Sequence, residues 1–129
     1  MPAAAQIQAL VVDDQLSMRG LIANSLRQIG VTNIREAPDG EEGLRELATR
    51  PAHLVISDYN MPKMDGLGFL RAVRGQPALA STAFIMLTGR ADLELVGRAR
   101  QFGVNNYLVK PFTTTQLKDK IEQVFGALT

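Results

Sequence analysis

The chain contains no cysteine, so disulfides, thiolate zinc sites and cysteine nucleophiles are all excluded, in keeping with a reducing compartment. No run approaches 18 consecutive apolar residues, and the opening Met1 to Gln6 lacks the basic region and long apolar stretch of a secretory leader. Neither membrane insertion nor export is therefore expected, and the reading is cytoplasmic. Charge of one sign is missing as well. Fourteen Lys and Arg stand against thirteen Asp and Glu, which leaves no overall basic field for nucleic acid and no acidic tail, so any ion site must be local. Arg90, Arg98 and Arg100 are interspersed with Asp92 and Glu94 and lack stacking aromatics, so they read as a solvated face rather than a nucleic-acid footprint. The single histidine, His53, precedes the third apolar run and is not a candidate base.

What is present is a regular alternation. At 129 residues and 46% hydrophobic, the length suits one compact domain over 1–129, with residues 1–6 as a flexible tail. Apolar runs at Ile7–Val12, Asn33–Ala37, Leu54–Asp58, Ala83–Thr88 and Asn106–Val109 read as strands. Between and after them, helical spacing predicts helices over Ser17–Ile29, Gly40–Thr49, Gly66–Arg74, Ala91–Phe102 and Thr113–Leu128. Met18, Leu21, Ile22, Ser25, Leu26 and Ile29 recur at helical spacing on the first helix, and Leu44, Leu47 and Ala48 would face inward on the second. Asp39 is placed to cap the second helix, with Glu41 and Glu42 near the positive end of its dipole. Strict alternation requires parallel strands with right-handed crossovers, hence an α/β fold with helices on both faces of an open sheet. After the fifth helix nothing remains for an output module, so a signal would have to leave through the domain's own surface.

The chemistry gathers at the carboxyl ends of the strands, where open parallel sheets collect their ligands. Asp13 and Asp14 follow the first strand, Asp58 closes the third, Thr88 the fourth, and Lys110 follows the fifth. Neighbouring strands lie about 4.8 Å apart, so carboxylates from the first and third would interact if those strands were adjacent. Two unit charges about 4 Å apart repel by roughly 4 kcal/mol at an effective dielectric near 20, and a hard divalent cation would relieve them. Mg²⁺ suits an open acidic pocket because it takes one or two carboxylates and shares its other positions with water and phosphoryl oxygens. A carboxylate can also accept a phosphoryl group covalently. On that reading Asp58 attacks, Lys110 and Thr88 support the phosphoryl oxygens, and Asp13 and Asp14 hold the metal. A cis Lys110–Pro111 bond would aim the lysine inward.

The blocks Val11-Val12-Asp13-Asp14, Ser57 to Gly66 (SDYNMPKMDG), Leu87-Thr88-Gly89 and Tyr107 to Phe112 (YLVKPF) resemble the receiver domains of two-component response regulators, in their single-domain chemotaxis form. The likeness spans nearly the whole chain. It implies a flavodoxin-like doubly wound sheet in the order 2-1-3-4-5 and phosphorylation of Asp58 by a sensor histidine kinase. It also implies Mg²⁺ held by Asp14 and Asp58, with Asp13 acting through waters and Asn60 through its backbone carbonyl. Thr88 and Tyr107 would form a switch, the hydroxyl moving toward the phosphoryl group as the ring turns inward. Arg90 stands where chemotaxis members carry an acid, which bears on dephosphorylation and on a dedicated phosphatase.

A second apolar stripe on the fourth helix, Leu93 and Val96, diverges from the stripe of Leu95, Ala99 and Phe102 and is hard to bury in the same sheet. The resemblance places an output face there, formed by Ala91, Leu93, Val96, Arg100, Tyr107, Val109 and Lys120, for a flagellar motor switch protein or another regulator. Other readings stay open. A receiver without output of its own would act as a phosphate sink or shuttle, and a phosphate-independent interaction module is a further alternative. A haloacid-dehalogenase type of enzyme needs a second acid two residues after its nucleophile, where this chain has Asn60.

Overall fold

The computed structural model describes residues 3–89 and 93–129. Its five strands are β1 (Gln8–Val12), β2 (Asn33–Ala37), β3 (Leu54–Asp58), β4 (Ala83–Thr88) and β5 (Asn106–Val109). They alternate with helices α1 (Leu16–Ile29), α2 (Gly40–Thr49), α3 (Gly66–Gly75), α4 (Leu93–Gln101) and α5 (Thr114–Phe125). All pairings are parallel and the sheet order is β2-β1-β3-β4-β5, as the resemblance implied.

The period-two alternation of the strands divides the core into two layers. Leu10, Val12, Val55, Phe84 and Met86 face α2, α3 and α4, where Leu47, Phe69, Leu70, Val73, Leu95 and Ala99 meet them. Ala9, Val11, Leu54, Ile56, Ile85 and Leu87 point the other way, against Ile22 and Leu26 of α1 and Leu117 and Ile121 of α5. The central strands β3 and β4 are buried along their whole length, which accounts for their nearly unbroken apolar character.

Local signals fix the helix ends. The Asp39 side chain accepts the Glu42 N–H at 2.9 Å, and Thr113 and Gln116 form a reciprocal capping box at the start of α5. Gly30, at φ 109°, supplies the left-handed residue that ends α1.

Several expectations need correcting. The tail expected over residues 1–6 is a 3-10 turn from Ala4 to Gln6, with Ala4 buried and its N–H donating to the Thr129 carbonyl at 3.0 Å. Residues 1 and 2 lie outside the described residues. Leu21 is 55% exposed, because α1 meets the sheet along Ile22, Ala23, Ser25 and Leu26 and the side chain at 21 falls off that arc. Ala48 is exposed, and the buried side of α2 runs instead through Gly40, Gly43 and Leu47, where the Phe69 ring crowds in. Helix α5 ends at Phe125, three residues before Leu128, and Gly126 follows it with φ 86°. Val96 is 7% exposed rather than displayed, so the second stripe of α4 is at least half covered.

The far end of α3 is fixed by one side chain. Arg74 donates to the carbonyls of Ala80, Thr82 and Gly103 and to Asn105 Oδ1, joining α3 to the turn between α4 and β5. Burial there pushes its guanidinium below the usual arginine range.

Candidate functional site

Register sets the site. Val12 lies opposite Ser57, so Asp13, one residue beyond the end of β1, comes level with Asp58 on β3. Asp58 lies opposite Leu87, which places Thr88 one step further along, and Thr88 lies opposite Val109, with Lys110 next in line. The Lys110 N–H donates to the Thr88 carbonyl at 2.8 Å, prolonging the β4–β5 ladder to the lysine itself. Residues from four separate parts of the sequence thus reach one rim.

Three acids converge there. A ligand oxygen from each of Asp13, Asp14 and Asp58 lies within 4.8 Å of the others. Asp58 is 6% exposed and Asp13 1%, whereas Asp14 is exposed. Lys110 Nζ donates to Asp58 Oδ1 at 3.0 Å, and the same oxygen accepts the Tyr59 N–H at 3.0 Å. The Lys110–Pro111 peptide bond is cis.

Asp13 Oδ1 accepts the Gln15 N–H at 2.9 Å, while Oδ2 is buried without a hydrogen-bond partner among the described residues. Burial raises the Asp13 carboxyl above the ordinary carboxylate value, the Gln15 N–H opposes that, the negative charge of Asp58 adds to it, Lys110 opposes it, and Asp14 adds further. A buried acceptor without a donor, beside two further carboxylates, fits a hard cation that takes oxygen ligands.

An open cleft of about 500 Å³ lies over this cluster, lined among others by Asp14, Asp58, Asn60, Gly89 and Lys110. Asn60 is exposed at its lip, and Thr88 is buried at 5%. A Cβ added at Gly89 would meet nothing within 4 Å among the described residues.

Gly66 decides how the loop after β3 returns. Its N–H donates to the Tyr59 carbonyl at 2.8 Å, and a Cβ there would come within 2.6 Å of both the Asp58 carbonyl oxygen and Met86 Sδ. The backbone can close over the strand end only without a side chain. Gly66→Ala is expected to cost about 1–3 kcal/mol by overpacking, visible as a lower denaturation midpoint with an unchanged slope.

The expected switch and output residues are spread more widely. Tyr107 is half-buried, packs against the α3–α4 core layer and carries Lys120 Nζ 5.2 Å from its ring centroid. Val109 is half-buried and Arg100 exposed. Ala91, Arg90 and the Leu93 side chain lie outside the described residues. His53 sits near the opposite edge of the sheet, where its Nδ1 accepts the Gln8 N–H at 3.0 Å. Residue-by-residue reading overlooked Gln15, which lines the cleft and holds Asp13, and Arg19, whose guanidinium reaches the Asp13 carbonyl. The signal for Arg19 lay in its position: a long side chain in the first turn of a helix points back toward the residues that precede it.

Comparison with known proteins agrees with this geometry. A match to the response regulator receiver domain covers residues 9–122. A Rhizobium etli relative named for the chemotaxis protein CheY is 52% identical over 128 residues, 99% of each chain. The chemotaxis protein CheY of Pseudomonas aeruginosa is 43% identical over 119 residues, covering 92% of this chain and 96% of its own. The structure of the chemotaxis response regulator CheY4 of Vibrio cholerae superposes with a TM-score of 0.85 at 32% identity, over 96% of this chain and 99% of that one. With the alternating core, the sheet order and the acidic rim in place, these matches show that the chain belongs to the response regulator receiver family, as a CheY-like member of two-component signalling.

Proposed function

We propose that this receiver is a phosphorylation-dependent switch that takes a phosphoryl group onto Asp58 from the phosphohistidine of a sensor kinase in the cytoplasm. The observation that carries the reading is the buried Asp58 carboxylate, held by Lys110 and by the Tyr59 N–H at the floor of an open acidic cleft. Both bonds go to Oδ1, which leaves Oδ2 to attack phosphorus. The new bond is carboxylate oxygen to phosphorus; the phosphorus–nitrogen bond breaks and its electron pair stays with the imidazole. Such transfer depends on positioning and charge neutralisation rather than on proton shuttling.

Asp14 and Asp58 would hold Mg²⁺, with Asp13 contributing through water and Asn60 through its carbonyl. When bound, the ion supplies positive charge against the carboxylates and the phosphoryl oxygens. Lys110 supplies a second positive group, and the Thr88 hydroxyl turns toward the phosphoryl group once it is in place. Addition of close to two negative charges then biases a two-state equilibrium that includes Tyr107. The altered surface of α4, β5 and α5, with Arg100, Tyr107, Val109 and Lys120, would be read by a flagellar motor switch protein or another regulator. A phosphatase would clear the phosphoryl group, alongside the chain's own slow hydrolysis.

Incubation with Mg²⁺ and a small phosphodonor should add one phosphoryl group by intact mass, and prior chelation should prevent it. Uptake that ignores chelation, or no uptake with Mg²⁺ present, overturns the reading. A second reading, a receiver that drains phosphoryl groups from a kinase without output of its own, gains from the burial of Val96, which removes an apolar anchor from the output face. Binding of the phosphorylated chain to the motor switch protein separates the two.

A further inference from the structure

We propose that Arg19 is a positioning residue for the acidic cluster: it fixes the main chain of Asp13 so that Asp13 Oδ2 is held toward the metal position. The inference rests on the reading of the cluster as a Mg²⁺ site.

Asp13 is the point where β1 has ended and α1 has not begun, so neither ladder nor helix holds it fully. Three bonds do so instead. Its N–H donates to the Ala37 carbonyl at 3.1 Å, its Oδ1 accepts the Gln15 N–H at 2.9 Å, and its carbonyl accepts from Arg19 Nη1 at 2.7 Å. Each fixes a different atom, and the atom left over is the buried Oδ2, which has no partner among the described residues. The side chain of Arg19 is only 15% exposed, so its ordering is built into the packing between α1 and β2.

An arginine beside three carboxylates would ordinarily pair with one of them and compete with a cation. Here the carboxylate partner is Glu36, whose Oε1 lies 3.2 Å from Arg19 Nε. Glu36 belongs to β2, away from the cluster of Asp13, Asp14 and Asp58. The guanidinium therefore grips the Asp13 carbonyl, and its charge is taken up on the far side. Its planar fork serves both partners at once, which a lysine ammonium at the same place would not reproduce. Groups behind a ligand that set its orientation typically change metal affinity by about 10- to 100-fold when removed.

The test separates positioning from charge because the two predict opposite signs. Loss of a positive charge near a cation site should by itself tighten Mg²⁺ binding, whereas loss of the grip on Asp13 should weaken it. Calorimetric titration of the whole chain with MgCl₂ alone, with a thermal melt of each variant, is expected to show Arg19→Met binding about tenfold more weakly than wild type while still melting cooperatively. Arg19→Lys, with the charge restored and the fork lost, should recover only part of the affinity. An Arg19→Met protein that binds Mg²⁺ as tightly as wild type, or more tightly, overturns the proposal, as does full recovery by lysine. Where Arg19→Met does not fold, Arg19→Lys carries the test: the charge is kept and the fork lost, so Mg²⁺ should bind more weakly than to wild type, and unchanged affinity overturns the proposal. A wild-type chain that takes up no Mg²⁺ overturns the metal reading itself, a result distinct from a wild type that binds and an Arg19→Met variant that binds equally.

Discussion

Asp58→Asn should leave the chain at its unmodified mass after incubation with Mg²⁺ and a small phosphodonor, under conditions in which the wild type gains one phosphoryl group. The amide keeps the shape of the carboxylate and an acceptor for the Tyr59 N–H, so the strand end should stay in place while the nucleophile is lost. Lys110→Met makes the companion measurement. It retains the acceptor and removes the positive group 3.0 Å from Asp58 Oδ1, so uptake should persist but slow by about 10²–10³-fold. Equal uptake by wild type and Asp58→Asn would assign the acceptor to another residue. Equal rates for wild type and Lys110→Met would remove the lysine from the chemistry.

The second large effect is on stability and has the opposite sign from most core substitutions. Asp13→Asn should stabilise the Mg²⁺-free protein at neutral pH by roughly 1–3 kcal/mol, raising the melting temperature by several degrees. Burial holds the Asp13 carboxyl above 3.8 in the folded chain. The folded state therefore binds its proton more tightly than the unfolded state does. The stability linked to that proton is fully present below 3.8 and is lost as pH rises through the raised folded value, so at neutral pH the carboxylate is a net cost. Asparagine removes that charge and can still accept the Gln15 N–H. The advantage of the variant should shrink as pH is lowered from 7 toward 4, and melts in chelator across that range would show it. Added Mg²⁺ should stabilise the wild type by about 2.7 kcal/mol at a hundred times its dissociation constant, raising its melting temperature, and move the variant much less. A variant that melts below wild type at every pH would refute the electrostatic account.

The sequence carried the fold well where one local rule acted alone. The strands ending at Val12, Asp58, Thr88 and Val109 were legible because each apolar run stops at a polar residue or a turn, and the Asp39 cap because its carboxylate precedes a helical pattern. The strand order came from family likeness, since alternation leaves the order of parallel strands open. Leu21 and Ala48 were misplaced for a common reason: helical spacing gives the period of a face but not its width, and the sheet covers a narrower arc than the apolar residues occupy. Val96 erred in the other direction, as α4 settles deeply enough to cover it.

At the site, the acids and the lysine were visible because register along a parallel sheet is nearly forced once strand ends are known. The supporting contacts were not. The Asp13 carbonyl, the Gln15 N–H and the close approach at Gly66 are main-chain matters, and side-chain identity says little about them. What a sequence displays best is the charged side chain, and what it displays least is the backbone that aims it.

Arg74 anchors the turn after α4 to the end of α3 and the start of β4. One planar guanidinium thus ties three stretches of chain at a single point, so the exit of α4 is held by hydrogen bonds to main-chain carbonyls as well as by apolar packing, like a clasp at the end of a strap.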